Sequence, residues 1–128
     1  MTAVLDASAV LALIYREPGH DQVGELLPGA VVSAVNWAEV VAKLAQRAHP
    51  EPAAAADGVR SLGVRVEAFT VADAVRAGLL WPKTRSAGLS LGDRACLAVA
   101  RRVAGGEAVT ADQAWAELDL EIAVRLIR

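Results

Sequence analysis

Four acidic residues stand where the surrounding sequence gives charge no ordinary place. Asp6 interrupts the apolar run AVLDASAV, Glu39 lies early in a helical pattern, Asp93 follows GLSLG, and Asp112 follows AVTA. Moving an ionised carboxylate out of water without a partner costs several kcal/mol or more, so an acid among Val and Leu is paired, hydrogen-bonded or bound to a metal. Four acids gathered into one pocket repel, and such a pocket is stable only with cations between them or with some acids protonated. Oxygen ligands without nearby His or Cys suit Mg²⁺ or Mn²⁺ rather than zinc. Ions held that way make hydroxide from water near neutral pH and steady the charge on an attacked phosphate and on its leaving oxygen. Phosphodiester hydrolysis is the chemistry these residues suggest.

Each acid also has a local reading. Asp93 forms a Ser-x-x-Asp capping box with Ser90, and Asp112 can cap the short turn that follows it. Thr70 with Asp73 makes the same box after the third strand and serves as an internal control, so Asp73 is expected to be a cap and nothing more. The functional reading requires the first and fourth strands to be neighbours. Asp6 and Asp112 would then leave adjacent carboxyl ends at the switch point of an open α/β sheet, where ligands bind. Glu39 and Asp93, near the starts of two helices beside that crevice, would reach the same space.

The elements that must do this positioning follow from apolar periodicity and from Gly and Pro stops. Strands are predicted at 3–5, 30–32, 64–69, 107–110 and 122–127. Helices are predicted at 9–15, 21–27, 37–48, 53–62, from Thr70 to about 80, and from Ser90 through 103, with a loop over 83–91 and a short turn or helix over 111–116. Strands alternating with helices imply crossover connections, hence an α/β fold with a parallel sheet between helices, in a single domain spanning residues 1–128.

Composition narrows the classes further. The chain has 128 residues and a formal net charge of −2, which does not fit a protein that coats nucleic acid by charge alone. The apolar runs are broken by Asp6, Arg16, Glu39 and Arg94, so none reaches the ~18 residues of a membrane span, and the N-terminus lacks the basic region of a signal peptide. The lone Cys96 lies in an apolar helical pattern, is expected to be a small buried hydrophobe, and fits a reducing cytoplasm. His20 and His49 read as surface residues, leaving no Ser/His/Asp arrangement, and no glycine-rich phosphate loop is present. Phosphatases with an aspartyl nucleophile look for a second Asp two residues on, where this chain has Ser8.

Taken together, VLDASAVLAL followed by REPG, then SAVNWAEVVAKL, GLSLGDRACLAVA and AVTADQAW resemble the PIN-domain ribonucleases, specifically the VapC-type toxins of toxin-antitoxin pairs. The resemblance implies a parallel five-stranded sheet and an endoribonuclease using Mg²⁺ (or Mn²⁺) at Asp6, Glu39, Asp93 and Asp112, with Asp6 and Asp93 as direct ligands. Ser8 and Thr110 match the small hydroxyl positions that orient acids or water. It also implies an RNA substrate, a homodimer and a VapB-type antitoxin that reaches into the site with a basic residue. Aromatic content is only 4%, so contacts to the RNA backbone are assigned to Lys83, Arg85 and Arg94, in a stretch from Arg76 to Arg102 that is rich in bases. A catalytically inactive module of the same fold, binding RNA or a partner, is the alternative.

Overall fold

The computed structural model describes residues 1–128. Five parallel strands form one sheet: β1 (Thr2–Leu5), β2 (Val31–Ser33), β3 (Arg65–Glu67), β4 (Gly106–Thr110) and β5 (Ala123–Leu126), in the order β3-β2-β1-β4-β5. The predicted strands are all present, and β1 and β4 are neighbours, with Leu5 opposite Val109. Strand order reverses direction between them, so their carboxyl ends frame the switch-point crevice.

Strands buried on both faces read as near-continuous apolar runs, because alternate side chains enter opposite cores. Ala3 and Leu5 join Val32 and Val109 in one core with Val10, Val23, Val40 and Leu44. Val4, Val31 and Ala108 enter the other, with Cys96, Leu97, Val99 and Trp115. The helices supplying the first core include α1 (Ala7–Tyr15), α2 (His20–Leu26), α3 (Ala34–Gln46) and α4 (Pro52–Arg60). The second face is covered by α7 (Leu91–Arg102), with α5 (Val71–Leu79) packed beside it.

Two elements depart from expectation. The third helix starts at Ala34 rather than Trp37, because Ser33 caps it by accepting a hydrogen bond from the Asn36 amide. Asn36 is thus inside the helix, one turn before Glu39. The expected loop over 83–91 instead begins in the end of α6 (Trp81–Thr84) and continues into a 3-10 turn at Arg85–Ala87. Pro82 does not stop this segment, since proline is tolerated in a first helical turn, where its missing N–H would have no partner. Cys96 is fully buried, as its pattern implied. No helix is long and apolar enough to cross a membrane.

Candidate active site

Asp6 ends β1 and caps α1. Its Oδ1 accepts hydrogen bonds from the Ala9 amide at 2.9 Å and from Ser8 Oγ at 2.7 Å. Its Oδ2 accepts one from Thr110 Oγ1 at 2.5 Å. The two hydroxyls in turn accept from the chain after β4: Ser8 Oγ from the Ala111 amide at 2.9 Å, and Thr110 Oγ1 from the Asp112 amide at 3.0 Å. Ser8 and Thr110 therefore stitch the end of β1 to the end of β4 and fix the Asp6 carboxylate between them. That carboxylate is only 4% exposed. Burial raises its pKa to about 6 despite three hydrogen bonds that favour the charged form, and the negative charge of Asp93 adds to the rise.

Asp93 and Asp112 do cap, as their local readings required. Asp93 Oδ2 accepts from the Ser90 amide at 2.9 Å and completes the capping box of α7. Asp112 Oδ1 accepts from the Ala114 amide at 3.0 Å. A cap occupies one carboxylate oxygen, and both residues also line the cleft of about 320 Å³ that Asp6 and Glu39 line. Burial pushes the Asp93 pKa up, and Asp112 contributes by repulsion. The Cys96 thiol lies behind this wall. Burial holds its pKa well above the ordinary value, reinforced in turn by the charges of Asp6, Asp93 and Glu39. Three of the four acids thus act on one buried atom.

Glu39 is held by a residue the sequence reading did not single out. Asn36 Nδ2 donates to Glu39 Oε1 at 2.8 Å and to the Gly92 carbonyl at 2.9 Å, tying α3 to the first turn of α7. The Glu39 carboxylate packs directly on Gly92, in the space a Cβ would fill. Asn36 is 1% exposed and its Oδ1 has no partner. The i, i+3 spacing of Asn36 and Glu39 was legible, but the later expected helix start hid it.

The control acid behaves oppositely. Asp73 closes its capping box with Thr70 and is also held by Arg102, Nε to Oδ1 at 2.7 Å and Nη2 to Oδ2 at 3.0 Å. The Arg102 guanidinium holds the Asp73 carboxyl below the usual range. None of the four cleft acids has a basic group within ion-pair distance.

The bases expected to contact RNA lie elsewhere. The Arg94 guanidinium donates to the Ala77 carbonyl at 3.0 Å. Arg85 stacks on Trp81 at 4.7 Å, and Lys83 lines a separate pocket with Arg76 and Arg101. The bases lining the acidic cleft are Lys43, Arg47 and Arg128, with Glu17 as a fifth acid. No three His, Cys, Asp or Glu side chains draw together tightly enough to cage an ion. Mg²⁺ does not need a cage: it binds through one or two carboxylates and keeps waters and substrate phosphates as its other ligands. An all-oxygen donor set of acids without basic partners, with the pKa values of Asp6 and Asp93 raised, fits such an ion.

The chain belongs to the PIN-domain family, whose model matches residues 3–121. Among solved structures it is similar to VapBC from Salmonella typhimurium bound to DNA, at 15% identity and TM-score 0.76, covering 100% of this chain and 99% of that one. VapBC2 from Rickettsia felis, bound to a promoter DNA fragment, matches at 15% identity and TM-score 0.76 over 98% of each chain. VapC20 from Mycobacterium tuberculosis, a toxin cleaving the sarcin-ricin loop, matches at 24% identity and TM-score 0.73, over 94% of this chain and 98% of that one. No curated protein sequence matches.

Proposed function

We propose that the protein is a VapC-type toxin, a divalent-metal-dependent endoribonuclease restrained by a VapB-type antitoxin. The observation that carries this reading is the meeting of Asp6, Glu39, Asp93 and Asp112, from four separate segments, in one cleft without a basic partner. Membership of the PIN family and the likeness to VapBC and VapC chains support it.

In this reading Asp6 and Asp93 hold the ion, Mg²⁺ or Mn²⁺, and Glu39 and Asp112 complete the acidic wall. Bound there, the ion supplies Lewis-acid polarisation of the phosphodiester and an acidified water. Ser8 and Thr110 keep the Asp6 carboxylate in one orientation, and Asn36 does the same for Glu39. A free oxygen of Glu39 or Asp112 would accept a proton from the attacking water as its oxygen bonds to phosphorus, while the bond from phosphorus to the leaving ribose oxygen breaks and that oxygen takes a proton from solvent. A homodimer and a cytoplasmic site of action follow from the same family likeness.

The test is incubation of purified protein with total cellular RNA, with and without Mg²⁺ or Mn²⁺, and mapping of the fragment ends. Discrete cuts that depend on the metal and vanish in Asp93→Asn are expected. Unchanged RNA in both metals would leave an inactive module of the same fold. Equal cutting in excess chelator would remove the metal from the reaction.

A further inference from the structure

The acidic cleft continues along α3 into a row of bases. Glu39, Lys43 and Arg47 recur every four residues, so they lie on one helix face about 6 Å apart along its axis, and all three line the cleft. The row begins at an acid of the site and runs away from it as positive charge.

Arg47 is held in place. Its guanidinium stacks on the Tyr15 ring at 4.6 Å, and Glu17 sits 4.0 Å from Nη1. Both side chains of that ion pair are partly exposed, 44% and 32%, and at 4.0 Å the pair is weak. The guanidinium's place over the ring limits its movement and leaves N–H groups for hydrogen bonds to a phosphate. Lys43 has no ion-pair partner and serves as a point charge. Arg128, which also lines the cleft, is fastened by Nη1 to the Pro18 carbonyl at 2.9 Å, one residue along from Glu17. Its position depends on Gly19, whose φ of +94° allows the backbone to close on Ile127, where a Cβ would collide.

Resting on the reading of the cleft as the RNA-cleaving site, we propose that Lys43 and Arg47 form a phosphate track that seats two backbone phosphates of single-stranded RNA on one side of the scissile bond. The acids cannot hold the flanking strand themselves, because phosphates beyond the metal meet only repulsion there. The α3 row supplies compensating charge in steps that suit consecutive phosphates of an extended strand. Phosphate contacts fix register without reading sequence, so the track sets where the strand lies.

The test is fluorescence anisotropy of a labelled single-stranded RNA of mixed sequence, with Ca²⁺ as the only divalent ion, titrated at several KCl concentrations. Each phosphate contact contributes about 0.7 to the slope of log affinity against log salt for single strands. Lys43→Ala and Arg47→Ala are each expected to lower that slope by about 0.7. For the double variant, the affinity gap to the unmodified protein narrows roughly sevenfold between about 50 and about 200 mM salt. Lys43→Arg restores the slope, and Arg60→Ala, exposed on α4, leaves it unchanged. Under Mg²⁺ or Mn²⁺ the double variant raises KM with little change in kcat. Wild-type affinity and slope in the double variant would overturn the track and hand the row to an acidic protein partner. A slope lost equally in Arg60→Ala would overturn it as nonspecific charge. Absence of cleavage by the unmodified protein, with the slope changes intact, would sink the nuclease reading and leave the track standing.

Discussion

Asp6 is the residue on which stability and chemistry pull in opposite directions. Its folded pKa of about 6 exceeds that of an unfolded Asp, about 3.9, so the folded chain binds the extra proton between those values. Folding stability therefore falls as pH rises from about 4 through about 6, and above that the full penalty, on the order of 3 kcal/mol, remains. Asp6→Asn removes the charge and keeps an oxygen for the Ala9 amide. In chelator its melting temperature is expected to exceed that of the unmodified protein by several degrees at pH 7.5, with the difference shrinking toward pH 5, while cleavage is lost. A variant less stable at pH 7.5 than at pH 5 relative to wild type would contradict the burial of an ionised group. Gly92 tests the neighbouring contact. Gly92→Ala puts a methyl where the Glu39 carboxylate rests; that carboxylate is the far end of a flexible side chain, so the fold accommodates it within about 1 kcal/mol. Cleavage should drop tenfold or more, and a fully active Gly92→Ala enzyme would show that Glu39 need not stay on α7.

At the scale of elements, α5 and α7 show what a purely structural acid looks like. Arg102, on the last turn of α7, pairs with both Asp73 oxygens, whereas Asp93 on the first turn of the same helix has no cation within ion-pair distance. Removing one partner of a buried pair costs more than the pair contributes, because the other charge is stranded. Arg102→Ala is expected to destabilise by about 2–3 kcal/mol by urea unfolding at pH 7, since the arginine is partly exposed, and to leave cleavage intact below the new melting point. The lowered Asp73 pKa means this stabilisation is present above the unfolded value and lost as pH falls through the folded one, so the gap should close below about pH 4. The strands, their alternation with helices and the places of the four acids were legible because they depend on local pattern: apolar runs, turn residues, and acids beside strand and helix ends; the neighbouring of β1 and β4 was a condition that only the folded chain could meet. Asn36 was not, because its contact with Gly92 lies 56 residues away and needs the folded chain. That Lys83, Arg85 and Arg94 do not line the acidic cleft was hidden for a related reason. Arg94 adjoins Asp93 in sequence, but successive residues of a helix point about 100° apart, and Arg94 turns to the Ala77 carbonyl of α5 instead. Lys43 and Arg47, four and eight residues beyond Glu39, share its face.

For the whole molecule, the acids of the cleft repel one another, so if the cleft takes the proposed cation, metal affinity and global stability are one linked equilibrium. A ligand bound only by the folded state stabilises by about 2.7 kcal/mol at a hundredfold excess over its Kd. Mn²⁺ is therefore expected to raise the melting temperature at pH 7.5, read from the fluorescence of Trp37, Trp81 and Trp115. Below the Asp6 pKa of about 6, binding must first displace its proton, which weakens affinity about tenfold per pH unit. The raised pKa of Asp93 adds to the same trend. The Mn²⁺-induced shift should thus shrink strongly between pH 7.5 and pH 5, and be nearly absent at either pH in Asp6→Asn and Asp93→Asn. Asp73→Asn should keep the Mn²⁺ shift at any pH where it folds, because its carboxylate is already neutralised by Arg102. A shift of equal size at both pH values, or one surviving in Asp6→Asn, would place the bound ion outside the cleft and separate metal binding from the acids that converge there.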